Sequence, residues 1–383
     1  MTRAPTKIGV LGCGVISGVY IETAQKIDAV ELVAVADVNP EAARYRAAQY
    51  GVPRALSPEE LLADPEVGIV VNLTPNHLHF EAAMRVIEAG KSVYNEKPMT
   101  VYREESARLL AAAAERGLRV GAAPDTFFGG AWQTARQAID AGLIGEPYAA
   151  MATFHGRRPP AAEETGPPPS SPTRTTAPGA VNFRREAGFR YGVAVPFDMG
   201  PYYTHALINL LGPARRVSGA TSKLFEETVR FGARLKVESP THATALIEFA
   251  NGALAQFAVS GDVYGTGLPN VEIYGREGTL RCPDPNYFLG PVYLRKPESC
   301  HLIELECRHS YNQDSRGVGV ADMAVAIKKG RPHRASGEVG AHTVDMLNAI
   351  HESADRGQRI DLLTTCPRPA PLPTGLPNWT IDE

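Results

Sequence analysis

Three groups of residues have the types and spacing for chemistry. The first is Gly12-Cys13-Gly14-Val15-Ile16-Ser17, set between an apolar run at 7–11 and a helical pattern at 17–27. Gly12 permits a tight turn, Gly14 lets a phosphate approach the backbone, and the helix start offers amides and a positive dipole end. Ser17 stands where a third glycine is usual and is still small enough for close helix–strand packing. Asp37 ends the next strand about twenty residues on, where a carboxylate grips ribose hydroxyls. A plain strand–helix turn with an Asp that merely caps the next helix is the alternative; three features in this order favour a dinucleotide site. Asp37 would repel a 2′-phosphate, and Val38-Asn39-Pro40 carries no arginine to bind one, so NAD is expected in preference to NADP.

The second group is Lys97, at the carboxyl end of a strand, where open α/β sheets place their ligands. Pro98 biases it towards extended backbone. A lysine there can hydrogen-bond a reacting oxygen and stabilise alkoxide charge; alone, it reads as a solvated loop lysine. The third group is Asp198, Tyr202 and His205. Their spacing of four and three puts them on one helix face. Pro201 fits the first turn of that helix, with Asp198 as its N-cap. An Asp that only caps and a His packed in a core are the bland alternative.

The elements that must position these groups alternate. Strand patterns at 7–11, 31–36, 67–73, 92–95 and 118–122 are separated by helical ones at 17–27, 40–50, 77–89 and 104–116. Such βαβ units imply a doubly wound parallel sheet. Beyond about residue 125 the texture changes to a helix at 131–141, a strand at 148–154 and a helix from about 199 to 211. Strand upon strand follows over 217–306, with Asn251-Gly252 marking a hairpin between 241–249 and 253–260. Helices at 318–329 and 340–356 close the fold. The expected class is α/β plus α+β: a nucleotide-binding domain over 1–125, a second, mainly antiparallel sheet domain with helices on one face over 126–365, and a Pro-rich surface coil over 366–383. The polar segment 157–187, too long for a plain connection, is expected to be a lid or an interface arm.

Bulk properties exclude other classes. With 383 residues, 44% hydrophobic and 21% charged, the chain is that of a two-domain globular protein. A net charge of −3 gives no case for nucleic acid. No apolar run could span a bilayer. Five sparse cysteines suit a reducing cytosol, so a cytoplasmic protein is expected. Cys300, Cys307 and His309 match no standard zinc spacing, and no metal is expected.

Two further segments carry a family likeness: Thr74-Pro75-Asn76-His77-Leu78-His79, and Gly90-Lys91-Ser92-Val93-Tyr94-Asn95-Glu96-Lys97-Pro98. With the later Asp198-Met199-Gly200-Pro201-Tyr202, the sequence resembles the glucose–fructose oxidoreductase/inositol dehydrogenase/rhizopine catabolism (Gfo/Idh/MocA) family over nearly its whole length. The resemblance implies hydride transfer between nicotinamide and a secondary alcohol or ketone of a sugar, polyol or glycoside, in a cleft between the two domains. It implies that Gly12, Gly14, Val15, Ile16, Asp37, Thr74, Asn76, His79, Glu96 and Lys97 contact the cofactor. It implies that Lys97, Asp198, Tyr202 and His205 are catalytic, and that they and Asp125 contact substrate. The family pattern usually has His and then Asp where Tyr202 and His205 stand, so which of the two exchanges the proton is open. Tyr202, with His205 as relay, is the expected arrangement. Two alternatives share the fold: an NAD-dependent glycosidase working through transient oxidation, and a dinucleotide-binding sensor. The family likeness also implies a homodimer or homotetramer, packed through the open face of the second sheet.

Overall fold

The computed structural model describes residues 4–156, 190–230, 233–299 and 301–382; the segment 157–187 lies outside them. The first domain is a six-stranded parallel sheet in the order β3-β2-β1-β4-β5-β6. Its strands are β1 (Thr6–Leu11), β2 (Val30–Ala36), β3 (Arg54–Leu56), β4 (Ile69–Asn72), β5 (Ser92–Asn95) and β6 (Val120–Ala122). The central strands are near-continuous apolar runs because helices cover both faces: α1 (Ser17–Ala24), α2 (Pro40–Tyr50), α3 (Pro58–Ala63), α4 (His79–Glu88) and α5 (Arg103–Glu115). The pair β3 and α3 is an addition to the expected elements. Both are short for a periodicity reading, although Ser57 and Glu60 form a reciprocal capping box at 3.2 and 2.8 Å.

The second domain carries α6 (Gly130–Asp140) and a nine-stranded sheet. Its middle strands are β7 (Pro147–His155), β8 (Ala214–Ser222), β11 (His242–Phe249), β12 (Leu254–Ser260), β13 (Val271–Gly275) and β14 (Gly278–Cys282). A separate two-stranded ribbon pairs β9 (Glu227–Arg230) with β10 (Ala233–Lys236). The large sheet is antiparallel except where β7 lies parallel to β12. The β11–β12 hairpin turns as expected at Asn251-Gly252, with Gly252 alone at positive φ (89°) and the Asn251 side chain accepting from the Ala253 N–H at 3.0 Å. Among the described residues between β14 and the next helix only β15 (Tyr293–Arg295) and β16 (Ile303–Glu304) are strand, so the expected run to residue 306 is largely loop there.

Helix α7 (Val195–Leu211) corrects the reading of Pro201 and Asp198. It starts four residues before the expected 199, with Ala194 at the N-cap and a proline, Pro196, in the first positions. Asp198 is therefore inside the first turn, and Pro201 is inside the helix. An interior proline removes one backbone donor. Here the Thr204 hydroxyl and His205 Nδ1 turn back onto the Pro201 carbonyl at 3.1 and 3.0 Å.

Two long-range features tie the domains together. After the second sheet, α8 (Val318–Lys329) and its exit return to the first sheet, where the Ala335 carbonyl accepts from the Ala122 N–H at 3.0 Å. Helix α9 (Gly337–Arg356) then packs on β8, α5 and α7 at once. The tail after 365 is coil, as expected, but is pinned rather than draped. Arg368 donates to the Asn209 and Leu210 carbonyls, Leu372 and Ile381 are buried, and Asp382 pairs with Arg331 and Arg334.

Candidate active site

The carboxyl edge of the first sheet gathers the cofactor candidates, because β1, β4 and β5 lie in register with Leu11, Asn72 and Asn95 side by side. Gly12 has φ 104°, and a Cβ there would meet the Leu73 carbonyl oxygen at 2.7 Å, so only glycine fits. At Gly14 a Cβ would meet nothing within 4 Å; the turn opens onto free space, as a close-approaching pyrophosphate requires. Ser17 is buried and donates to the Gly14 carbonyl at 2.7 Å. Val15 is exposed and Ile16 half-buried at the lip. Asp37 accepts from the Cys13 N–H at 2.7 Å and the Asn39 N–H at 2.8 Å, and stays half-exposed with acceptor capacity left for ribose hydroxyls. The Asp37-to-helix capping alternative does not describe α2, whose N-cap is Asn39. These residues fit a bound NAD.

Thr74, Asn76 and His79 follow β4. The Thr74 hydroxyl donates to Asn72 Oδ1 at 2.7 Å, and the Asn72 amide bridges to Asn95 Oδ1 and the His79 carbonyl. His79 is buried with its ring nitrogens 2.7 Å from the Pro98 carbonyl and 2.8 Å from the Thr74 carbonyl. It therefore links the Thr74 segment to the backbone beside Lys97, where the Lys97–Pro98 bond is cis. Half-buried Asn76 stays at the surface of the cleft edge.

Lys97 joins the two domains at the site. Its Nζ donates to Asp198 Oδ1 at 2.5 Å and to the Asp198 carbonyl at 2.8 Å, and stands 5.3 Å from the centre of the Tyr202 ring. Burial alone would lower the Lys97 ammonium, but Asp198, then Tyr202 and Glu96, outweigh it and hold the group above its ordinary value. Lys97 is therefore a charged donor with one of three N–H groups left over. Glu96 turns the other way: Oε2 accepts from the Lys97 N–H at 2.7 Å and Oε1 from the Tyr20 hydroxyl at 3.1 Å.

Asp198 and Tyr202 thus converge with Lys97. His205 and Asp125 have different surroundings. His205 is buried between the Pro201 carbonyl and the Thr343 hydroxyl, both 3.0 Å from Nδ1, and burial pushes it down to about 3. Such a ring stays neutral. The Asp125 carboxylate accepts from the Gly317 and Gly319 N–H groups at 2.8 and 2.9 Å, which caps α8. Burial raises it to about 6, against the pull of those two amides.

Three residues that no motif announced complete the site. Buried Arg46 donates to the Gly14 carbonyl at 3.1 Å and so braces the glycine turn. Tyr20 fixes Glu96. Arg316, in the loop before α8, lies against Tyr202, its Cζ 5.7 Å from the ring centre.

Residues 6–123 match the model of an oxidoreductase family with an NAD-binding Rossmann fold, and residues 132–281 match the GFO/IDH/MocA C-terminal domain. The chain belongs to the Gfo/Idh/MocA oxidoreductase family. As a member of this family, which acts on sugars and polyols, it is an NAD(P)-dependent oxidoreductase. It is 27% identical to a 1,5-anhydro-D-fructose reductase from Ensifer adhaerens, over 93% of this chain and 98% of that one. It is also 27% identical to a myo-inositol 2-dehydrogenase from Thermotoga maritima, again over 93% and 98%. Among solved structures, an NAD-binding oxidoreductase from Klebsiella pneumoniae superposes with a TM-score of 0.79 at 22% identity, covering 94% of this chain and all of that one. That likeness shows the shared fold. Among the described residues no helix is long and apolar enough to cross a membrane.

Proposed function

We propose that the protein moves hydride between NAD(H) and a secondary alcohol of a cyclic sugar or polyol, with Lys97 and Tyr202 handling the reacting oxygen. The observation that carries this is the convergence of Lys97, Asp198 and Tyr202 across the domain boundary. When bound, NAD⁺ would supply the two-electron acceptor for the hydride. Asp37 binds the ribose and disfavours a 2′-phosphate, which makes NAD the preferred cofactor. Asp198 holds the Lys97 ammonium in place with two hydrogen bonds, which leaves its third N–H to donate to the substrate oxygen. Tyr202 accepts the hydroxyl proton as hydride leaves, and returns it in the reverse direction; such transfer contributes on the order of 10²–10⁴ in rate. His205, neutral and bonded within the core, supports the helix that carries Tyr202, and Asp125 positions the start of α8. The cyclic polyol and anhydro-sugar names of the relatives suggest the substrate class.

The test is a panel of inositols, anhydrosugars, aldoses and glycosides, followed both by NADH absorbance and by product chromatography. NADH formation in step with ketone supports the reading. Cleavage of a glycoside without net NADH would replace it with transient oxidation and elimination, and binding of NAD without turnover of any member would replace it with a sensor.

We also propose that the outer face of the large sheet pairs with a second copy. Met151, Gln256 and Leu246 form a row across β7, β12 and β11 on that face, next to Leu254. Leu246 and Leu254 are 43% and 44% exposed, which such a contact would cover.

A further inference from the structure

Two cations lie against the Tyr202 ring, and only one of them belongs to a motif. Arg316 is 4% exposed, and its guanidinium is fixed from two sides. Nη1 donates to Asp314 Oδ1 at 2.5 Å, and Nη2 donates to the Asn286 carbonyl at 2.8 Å and to Asn286 Oδ1 at 2.6 Å. The loop is clamped as well, because the next residue, Gly317, donates to Asp125 at 2.8 Å. The guanidinium is thereby set against the Tyr202 ring, 5.7 Å from its centre, with Lys97 Nζ 5.3 Å from the same centre. Burial works against this charge, but Tyr202 and Asp314 outweigh burial and keep the guanidinium above its ordinary range. The titratable groups that act on Tyr202 are Tyr20 from α1, Lys97 after β5 and Arg316 from the loop before α8; these three are in turn faced by Glu96, by Asp125 after β6, by Asp198 from α7 and by Asp314.

We propose that Arg316 is the positioning residue for proton transfer: it holds the Tyr202 phenol, and its fixed charge stabilises the phenolate. This rests on the reading that Tyr202 exchanges the substrate proton. In the reducing direction the Tyr202 O–H bond breaks as the substrate O–H bond forms, and the electron pair stays on the phenolate oxygen, in the field of Arg316 and Lys97. In the oxidising direction the same phenolate takes the proton. A guanidinium suits the task because it does not lose its own proton at working pH.

The experiment labels the full chain with [¹³Cζ]tyrosine and follows the Tyr202 resonance, assigned by its loss in Tyr202→Phe, against pH with NAD bound. Arg316→Gln should move its titration upward by about one pH unit or more, the scale of one charge across ~6 Å at an effective dielectric of about 20. Arg316→Lys should fall between Gln and wild type. Asp314→Asn, which removes the counter-charge, should move it downward. In steady-state kinetics with a sugar that the panel identifies, Arg316→Gln should lower kcat at pH 7 by at least tenfold and shift the pH profile in the same direction, with NAD affinity within about twofold. An unmoved titration in Arg316→Gln overturns the proposal, even if activity falls, since that would be a structural role. If Arg316→Gln does not fold, an unmoved titration in Asp314→Asn overturns it. Full activity in Tyr202→Phe would remove the catalytic reading of Tyr202, while the resonance would still decide whether Arg316 and Tyr202 are coupled.

Discussion

The two halves of the cleft are built differently. The dinucleotide end is made of contiguous chain: Gly12, Gly14 and Ser17 sit in one turn, and Asp37 reaches that turn through the Cys13 N–H. Its chemistry is mostly backbone amides, and it needs only a strand, a turn and a helix start. The opposite wall is assembled from separate stretches of chain. Lys97 comes from the first domain, Asp198 and Tyr202 from α7, and Arg316 from a loop held by Asn286, Asp314 and Asp125. In the proposed function the first half holds the pyrophosphate and the ribose hydroxyls. The second, in that proposal, sets the reaction and the substrate, and its Lys97–Asp198 contact depends on how the two domains dock.

This difference makes the wall around Lys97 the place where single changes cost most activity. Lys97→Met should lower kcat by roughly 10²–10⁴ while NAD affinity changes little, as read by steady-state kinetics and cofactor fluorescence. A loss of NAD binding equal to the loss of rate would move Lys97 to the dinucleotide half. On that half, Asp37 should set a preference for NAD over NADP of at least about tenfold. Asp37→Ser should narrow the gap by weakening NAD and relieving the repulsion of the 2′-phosphate; calorimetry with both cofactors checks it. Equal NADP affinity in the unaltered chain would show that arginines reach that pocket from elsewhere.

The same contrast explains what could be read from the sequence. Residues 40–50, 92–95 and 318–329 have the expected bounds, because apolar periodicity and capping residues are local signals. The glycine turn and Asp37 were legible for the same reason. The start of α7 was not. Pro201 has the chemistry of a first-turn residue, but Pro196 takes that role and the interior proline loses only one donor. The face shared by 198, 202 and 205 does not act as one surface. The three positions fall within about 60° of one another on a helix of 3.6 residues per turn, yet half-buried Asp198 meets Lys97 while His205, about two turns further on, is buried against Thr343. Arg316 and Arg46 have no sequence signal, since each acts on a segment distant along the chain.

Smaller effects separate support from chemistry. Asp125→Ala leaves the Gly317 and Gly319 amides without their buried acceptor and should cost about 1–3 kcal/mol in denaturant unfolding. A fall in kcat with unchanged stability would return Asp125 to substrate contact. Because the folded carboxyl is raised to about 6, its favourable contribution is complete below the unfolded value and is lost as pH rises through about 6. Asp125→Asn should therefore gain stability relative to the unaltered chain as pH rises from 4 to 7, by at most about 3 kcal/mol. A difference independent of pH would contradict that. At the far surface, Leu246→Lys should convert the oligomer to monomer in light scattering with little change in fold; an unaltered mass would place the contact elsewhere.

In the proposed chemistry Tyr202, held with Lys97 at the domain boundary, exchanges the substrate proton in step with hydride transfer. The most direct measurement is single-turnover NADH formation, across pH, for Tyr202→Phe and His205→Asn beside the unaltered enzyme, using a substrate from the panel. Tyr202→Phe should slow the chemical step by about 10²-fold or more and abolish its pH dependence. His205→Asn should retain both the pH dependence and most of the rate. A Tyr202→Phe rate near that of the unaltered enzyme, with His205→Asn folded but inactive, would contradict this chemistry and assign the proton to His205.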